Sequence, residues 1–279
     1  MEKTELPGRQ IGDYYVSAIS DGYLTADLAL LCHIDAQQAS AMLQQADVND
    51  PAAVHINSYL LRGRGRTVLI DAGAGGFKQW GGRLRDNLAR AGVQPSDIDT
   101  VLLTHAHPDH IGGLVDEEGH ALFPAAELVV HQHEIAFWQD QGNFSRAGER
   151  ARGNFVFIRR VFDRYLQQLR TFTSGEVLPG VSGVPLPGHT AGHCGYRIES
   201  DKEALLVWGD IVHFPHIQIA RPQVTIAFDL DPQLAATTRI KLLDQVSADR
   251  LLIAGMHLDE SGFARIERSG NRWSLLNAL

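Results

Sequence analysis

Cysteine is scarce in this 279-residue chain: Cys32 and Cys194 lie far apart, and no CxxC pair occurs. A disulfide framework is therefore excluded, and two reduced thiols are the plain reading. Long apolar runs are missing as well. The start, Met1-Glu2-Lys3-Thr4-Glu5, leads into no hydrophobic segment, so neither a secretory signal nor a membrane span is visible. A cytoplasmic protein with no membrane partner is expected. Positive charge is in deficit: 25 Lys and Arg stand against 33 Asp and Glu, a formal net charge of -8. Such a surface is a poor match for a phosphate backbone, so nucleic acid is not the expected partner.

What is present is an ordinary globular composition, 44% hydrophobic and 21% charged, at a length that suits one large domain. We expect a single unit over 1–279, with 1–12 as an N-terminal arm because that stretch is polar and holds Pro7, Gly8 and Gly12. Strands are predicted at 14–19, 55–61, 67–70, 98–103, 128–131, 195–198, 204–208, 251–254, 263–267 and 273–275. Asp21-Gly22 and the 62–66 stretch read as turns. Helices are predicted at 35–49 (with Asp35 as cap), 81–92, 134–139, 155–172 and 232–246. The aromatic stripe of 155–172 reads first as core, and otherwise as a pocket wall or subunit contact. Two facing sheets covered outside by helices satisfy this order.

Chemistry concentrates in Thr104-His105-Ala106-His107-Pro108-Asp109-His110-Ile111-Gly112-Gly113, which directly follows an apolar strand. In extended backbone, His105 and His107 point to the same side and can grip one cation together. Pro108 can start a helix and so turn Asp109 and His110 toward a second ion, about 3.5–4 Å from the first. Further ligand types recur at later strand ends: His189 in Pro187-Gly188-His189, Asp210 in Trp208-Gly209-Asp210, and His257 in Gly255-Met256-His257. A lone HxH is commonly a solvated loop; this recurrence is not.

On these residues the chain resembles the metallo-β-lactamase superfamily over nearly its whole length. The resemblance implies an α+β fold, a four-layer αββα sandwich with a metal cleft along one edge of the facing sheets. It implies that His105, His107 and His189 hold one ion, that Asp109, His110 and His257 hold the other, and that Asp210 bridges them. The donor set favours two divalent ions, Zn2+ first, with Mn2+, Fe2+ or Co2+ as alternatives. A hydroxide between the ions is the expected nucleophile, with Asp109 as a proton shuttle. Asp71, after a strand, is expected to support the ligands from behind or fix its loop rather than serve as an ordinary turn aspartate. His193 reads equally as such a support or as an ordinary hydrogen-bonded histidine. Cys194 is expected to be a buried small residue: a β-lactamase that places cysteine at its metals would carry it where Asp210 stands.

Within the superfamily the strings Leu69-Ile70-Asp71-Ala72-Gly73-Ala74-Gly75, Leu122-Phe123-Pro124, Ala136-Phe137-Trp138 and Leu205-Leu206-Val207-Trp208-Gly209-Asp210 are most similar to methyl-parathion-hydrolase-like enzymes and related lactonases. That similarity implies a pocket lined by Phe77, Trp138 and the phenylalanines Phe155 and Phe157. It also puts His213, three residues after Asp210, where some of those lactonases carry a tyrosine beside the substrate carbonyl; His213 reads equally as a pocket or structural histidine. The expected activity is hydrolysis of a small-molecule lactone or carboxylic ester. Alternatives are a phosphotriester hydrolase, a glyoxalase-II-like thioesterase, a β-lactamase and a non-hydrolytic di-iron redox protein. Relatives in this family are often homodimers.

Overall fold

The computed structural model describes residues 6–277. Among these residues, two seven-stranded sheets face one another, each mixing parallel and antiparallel neighbours. The first runs, in spatial order, Gly8–Ile11, Tyr14–Thr25, Ala53–Gly63, Arg66–Ile70, Thr100–Leu102, Glu127–His131 and Leu169–Phe172. Its last three pairings, from Arg66–Ile70 onward, are parallel. The second runs Arg272–Asn277, Phe263–Ser269, Leu252–Ala254, Glu203–Val207, Cys194–Ser200, Val181–Pro185 and Gly175–Leu178. Only its Glu203–Val207 and Leu252–Ala254 pair is parallel among the described residues.

The strand alternation dictates the layers. Leu61, Val68, Ile70, Leu205 and Val207 point inward and form the core between the sheets, whereas Leu60, Leu69 and Leu206, one residue out of step, point outward. The outward face of the first sheet packs on Leu84 and Leu88 of helix Leu84–Arg90 and on Phe155, Ile158 and Phe162 of helix Glu149–Arg164. The outward face of the second packs on Leu242, Leu243 and Val246 of helix Pro232–Ala248. The result is the expected four-layer αββα sandwich. A separate apolar cluster, with Leu31, Leu43, Ile56, Phe214 and Ile226, closes one end around a small two-stranded pairing of Leu31–Cys32 with Thr225–Ile226.

Several local expectations are corrected. Residues 8–11 are an edge strand paired antiparallel with the next rather than part of an arm, and residues 1–5 lie outside the described chain. Asp21-Gly22 is no turn: strand Tyr14–Thr25 continues through it, and the register shift between Ser20 and Gly22 marks a bulge. The reason is the Asp21 carboxylate, which is buried and accepts N–H bonds from Ala74, Gly75, Gly82 and Leu84. The 155–172 helix starts earlier, at Glu149, and ends at Arg164; Leu169–Phe172 is a strand. Phe155, Phe162 and Tyr165 are buried, so the aromatic stripe packs into the core, and Phe155 also lines a cavity. No described helix is long and apolar enough to cross a membrane.

Candidate metal centre

Parallel strands carry the chemistry at their carboxyl ends. Asp71 follows Arg66–Ile70, His105 follows Thr100–Leu102, Asp210 follows Glu203–Val207 and His257 follows Leu252–Ala254. Ligands from both sheets thereby reach one edge of the sandwich, the place where open parallel sheets present their loops. His189 comes from the connection between Val181–Pro185 and Cys194–Ser200. Pro108 does start a short helix, Pro108–Ile111, which swings Asp109 and His110 away from His105 and His107.

Two groups of ligand atoms result. His105, His107 and His189 form one, and Asp109, His110, Asp210 and His257 the other, each with its ligand atoms within 4.8 Å of one another. Asp210 Oδ2 lies between them, 3.7 Å from His105 Nε2, 3.5 Å from His189 Nε2, 3.2 Å from His110 Nε2 and 3.1 Å from His257 Nε2. It is also 3.1 Å from His213 Nε2, so His213 stands within the cluster.

The far nitrogen of each imidazole decides which nitrogen faces inward. His110 Nδ1 lies 2.6 Å from Asp71 Oδ2, His189 Nδ1 2.8 Å from Asp229 Oδ1, and His257 Nδ1 2.7 Å from the His55 carbonyl. Those acceptors fix a proton on Nδ1 and leave Nε2 as the donor to a cation. His105 Nδ1 is held by Thr104 Oγ1 at 3.1 Å, and Thr104 Oγ1 itself donates to Asp71 Oδ2 at 2.7 Å. Asp71 also accepts from the Thr104 N–H, and adopts a left-handed backbone (φ 57°), which aspartate tolerates better than most residues. His193 lies behind Asp210: its Nε2 accepts the Asp210 N–H at 2.8 Å, and its Nδ1 donates to the Leu186 carbonyl.

The electrostatics suit cations. Burial pushes Asp210 up, but His110, His257 and His105 overcome it and hold the carboxyl well below the usual range. Burial lowers His110 and His257 in turn, but Asp210 outweighs it and raises both, so a cation binding there would displace a proton. Burial likewise opposes ionisation of Asp109, and His110 and His257 outweigh it. His105 and His107 are pushed far down, by burial first and then by neighbouring imidazoles, so both are neutral and able to ligate. His213 is lowered to about 4, chiefly by burial. His110 Nε2, Asp210 Oδ1 and His213 Nδ1 are buried without a hydrogen-bond partner. Imidazole nitrogens crowd one another too: His107 Nδ1 is 2.9 Å from His189 Nε2 and 3.1 Å from His105 Nε2. Orphaned buried polar atoms and ionised carboxylates within 4.8 Å of one another are costly alone, and cations between them would remove that cost. The residues fit a binuclear metal site.

A cavity of about 670 Å³ opens beside the cluster. His107, Asp109, His189, Asp210 and His213 form its floor, with Trp138, Phe155, Phe137, Leu24 and Phe228 on its walls. Phe77 and Phe157 are not among its lining residues; their rings stack on one another at 4.4 Å. Lys78 and Trp80, from the same loop as Phe77, reach the cavity instead. Cys194 is buried with its thiol toward the Thr104 carbonyl.

Sequence reading missed three supports. Asp229, Glu134 and Thr104 each hold a ligand or its loop, yet Asp229 lies 40 residues from the histidine it orients and no local pattern marks it. For Glu134 a signal existed: Trp138 is one helical turn on, and its indole N–H donates to Glu134 Oε1 at 2.8 Å.

Known proteins share this fold. The hydrolase AbOPH of the beta lactamase superfamily superposes with a TM-score of 0.92 at 29% identity, covering 98% of this chain and 97% of that one. AidC, a dizinc quorum-quenching lactonase solved with a bound product, superposes with a TM-score of 0.91 at 23% identity, with 98% and 97% covered. The "Probable metallo-hydrolase Mb2322c" of Mycobacterium bovis is 25% identical over 230 residues, 78% of this chain and 68% of its own length. Residues 52–257, the span that holds all seven clustered ligands from His105 to His257, match the model of the family, and the chain belongs to the metallo-beta-lactamase superfamily.

Proposed function

We propose that this chain is a binuclear metal-dependent hydrolase that opens lactones or cleaves carboxylic esters of uncharged small molecules. One observation carries the reading: Asp210 Oδ2 sits 3.1–3.7 Å from inward-facing Nε2 atoms of both ligand groups. A single carboxylate oxygen shared by two imidazole sets suits a pair of cations and leaves room for substrate, unlike a closed structural site. The hydrolytic class is supported by the likeness to AbOPH, and the fold is one that the lactonase AidC uses.

His105, His107 and His189 would hold one ion, Asp109, His110 and His257 the other, and Asp210 both. The donor set of imidazole and carboxylate favours Zn2+ over Mn2+, Fe2+ or Co2+. When bound, such a pair supplies a water of lowered pKa and a Lewis acid for the scissile carbonyl.

The remaining work falls to side chains. Trp138, Phe155 and Phe137 give the apolar part of an ester a dry wall. Asp109 is the more reachable of the two carboxylates, its side chain 12% exposed against 1% for Asp210. As water adds to the carbonyl carbon, its released proton passes to the Asp109 carboxylate and from there to the leaving alkoxide. His213 Nε2, on the cavity floor, can give an N–H to the carbonyl oxygen as charge develops there. Asp71 and His193 keep His110 and Asp210 in place.

A panel of lactones, aryl esters, phosphotriesters, S-lactoylglutathione and β-lactams, assayed with metal-reconstituted protein, tests the proposal. We expect kcat/KM for lactones or carboxylic esters to exceed the other classes by roughly tenfold or more, a difference of about 1.4 kcal/mol in transition-state binding. Preferred thioester or phosphotriester turnover would overturn the substrate assignment. Equal rates for wild type and His257→Ala would overturn the metal chemistry.

A further inference from the structure

Glu134 lies in the helix Gln132–Gln139 and is fully buried, yet no cation pairs with it among the described residues. Its charge is satisfied by four neutral donors. Oε1 accepts the Ala106 N–H at 2.9 Å and the Trp138 indole N–H at 2.8 Å. Oε2 accepts the Thr190 hydroxyl at 2.7 Å and the Gly192 N–H at 2.8 Å. Ala106 stands between His105 and His107, and Thr190 directly follows His189. The two oxygens of one carboxylate thus tie together the two loops that carry the three-histidine group. Trp138, on the cavity wall, hangs from the same oxygen as the His105–His107 loop.

We infer that Glu134 is a positioning residue for the three-histidine metal subsite, setting the distance between His189 and the His105–His107 pair. The inference rests on the binuclear reading above and concerns one half of it. The chemistry favours an ionised carboxylate over any neutral substitute. Hydrogen bonds to a charged acceptor are shorter and roughly twice as strong as neutral ones, and two oxygens with four lone-pair sites match four donors without remainder. A glutamine would offer one accepting oxygen and one N–H₂. With its oxygen toward Ala106 and Trp138, its amide would face the Gly192 N–H donor to donor. The fit at Gly192 leaves no room for adjustment, because a Cβ there would lie 2.4 Å from the Glu134 nitrogen and 2.8 Å from its Cβ. The Asp109, His110 and His257 group receives nothing from Glu134, so the effect should fall on one ion.

The test is competition between a chromophoric chelator and full-length protein loaded with zinc, for wild type, Glu134→Gln and the milder Thr190→Val. Wild type should hold two ions. Glu134→Gln should hold one of them about 10–100-fold more weakly, as other supports behind metal ligands do, and retain the second within about threefold. Thr190→Val, which removes one of four donors, should weaken the same ion by a smaller factor. Unfolding of each metal-free variant, followed by circular dichroism, separates positioning from general damage. Unchanged affinities in both variants would overturn the inference, as would equal weakening of both ions in step with lost stability. A wild-type chain that takes up fewer than two ions would overturn the binuclear reading and this inference together.

Discussion

At the residue scale, the histidines are distinguished by what lies behind them. Four of the inward-facing imidazoles have their outer nitrogen anchored, and for His189 the anchor is the buried Asp229. Asp229→Asn keeps the size and removes the charge that stabilises the Nδ1–H tautomer; its amide can also present a donor to that nitrogen. Metal affinity should fall on the order of tenfold, with hydrolysis falling in parallel at limiting zinc and recovering at saturating zinc. Chelator competition and zinc-dependent rates would measure this; a loss of rate with unchanged affinity would point to a different role for Asp229. The histidines and aspartates that cluster were legible in sequence because His, Asp and Gly recur at apolar strand ends. Their supports were not, since a carboxylate 40 residues away becomes a neighbour only through the chain's path.

Away from the metal centre, His131 offers a pH prediction. Its Nε2 donates to the Thr173 carbonyl, and its Nδ1 accepts the His133 N–H at the start of the next helix, so the neutral ring is required. Burial lowers its pKa below the ordinary 6.5. The unfolded chain therefore binds a proton near pH 6.5 that the folded chain refuses until lower pH. The stability from this residue is present above that value and is lost as pH falls below it. In urea unfolding of metal-free protein, stability should drop more steeply between pH 7 and 5 for wild type than for His131→Asn, whose amide can still cap the helix. Identical slopes would contradict the assignment.

At the scale of elements, two glycines with very different surroundings make opposite predictions. Gly112 lies where the short ligand helix meets the loop after Asp71, and a Cβ there would be 2.0 Å from the Ala74 carbonyl oxygen. Backbone cannot rotate aside, so Gly112→Ala should cost about 3 kcal/mol or more and displace His110 with it. Gly153 lies on helix Glu149–Arg164 with nothing within 4 Å of its would-be Cβ. Gly153→Ala should stabilise by about 0.5–1 kcal/mol through helix propensity and reduced unfolded-state freedom. Urea midpoints of the two variants test both statements. Element positions were readable wherever a short apolar run was continuous, as in Arg66–Ile70 and Glu203–Val207, whose last residues are buried in succession on both faces of a sheet. They were misread where a tertiary contact outweighed the local signal. Asp21-Gly22 has turn composition, yet four N–H groups from the 74–84 loop satisfy Asp21 and carry the strand through it. The strands Gly175–Leu178 and Val181–Pro185 were missed because neither has a sustained alternation of its own, and each is held by pairing with its neighbour.

At the scale of the whole molecule, the two sheets are joined differently at their two rims. Around the amino ends of the central strands, hydrogen bonds cross between sheets: the Gly12 N–H to Glu203, the Asp13 N–H to Ser200, and the Tyr14 hydroxyl to the Pro179 carbonyl. Around the carboxyl ends, backbone bonds such as Cys194 N–H to Thr104 O and Asn57 N–H to Met256 O, and side-chain bonds from the Tyr59 and Tyr196 hydroxyls to the Gly255 and Leu103 carbonyls, stand beside a crowd of imidazoles and carboxylates drawn from both sheets. The sandwich is thus bound by its own hydrogen bonds along both rims, and its clustered ligands would add a clasp of cations along one of them. Stripping those cations should let amide hydrogen exchange quicken around 104–113, 189–194 and 209–213 while the Tyr14 and Ser200 rim keeps its protection. A chain built this way should register metal loss as local opening before it unfolds as a whole.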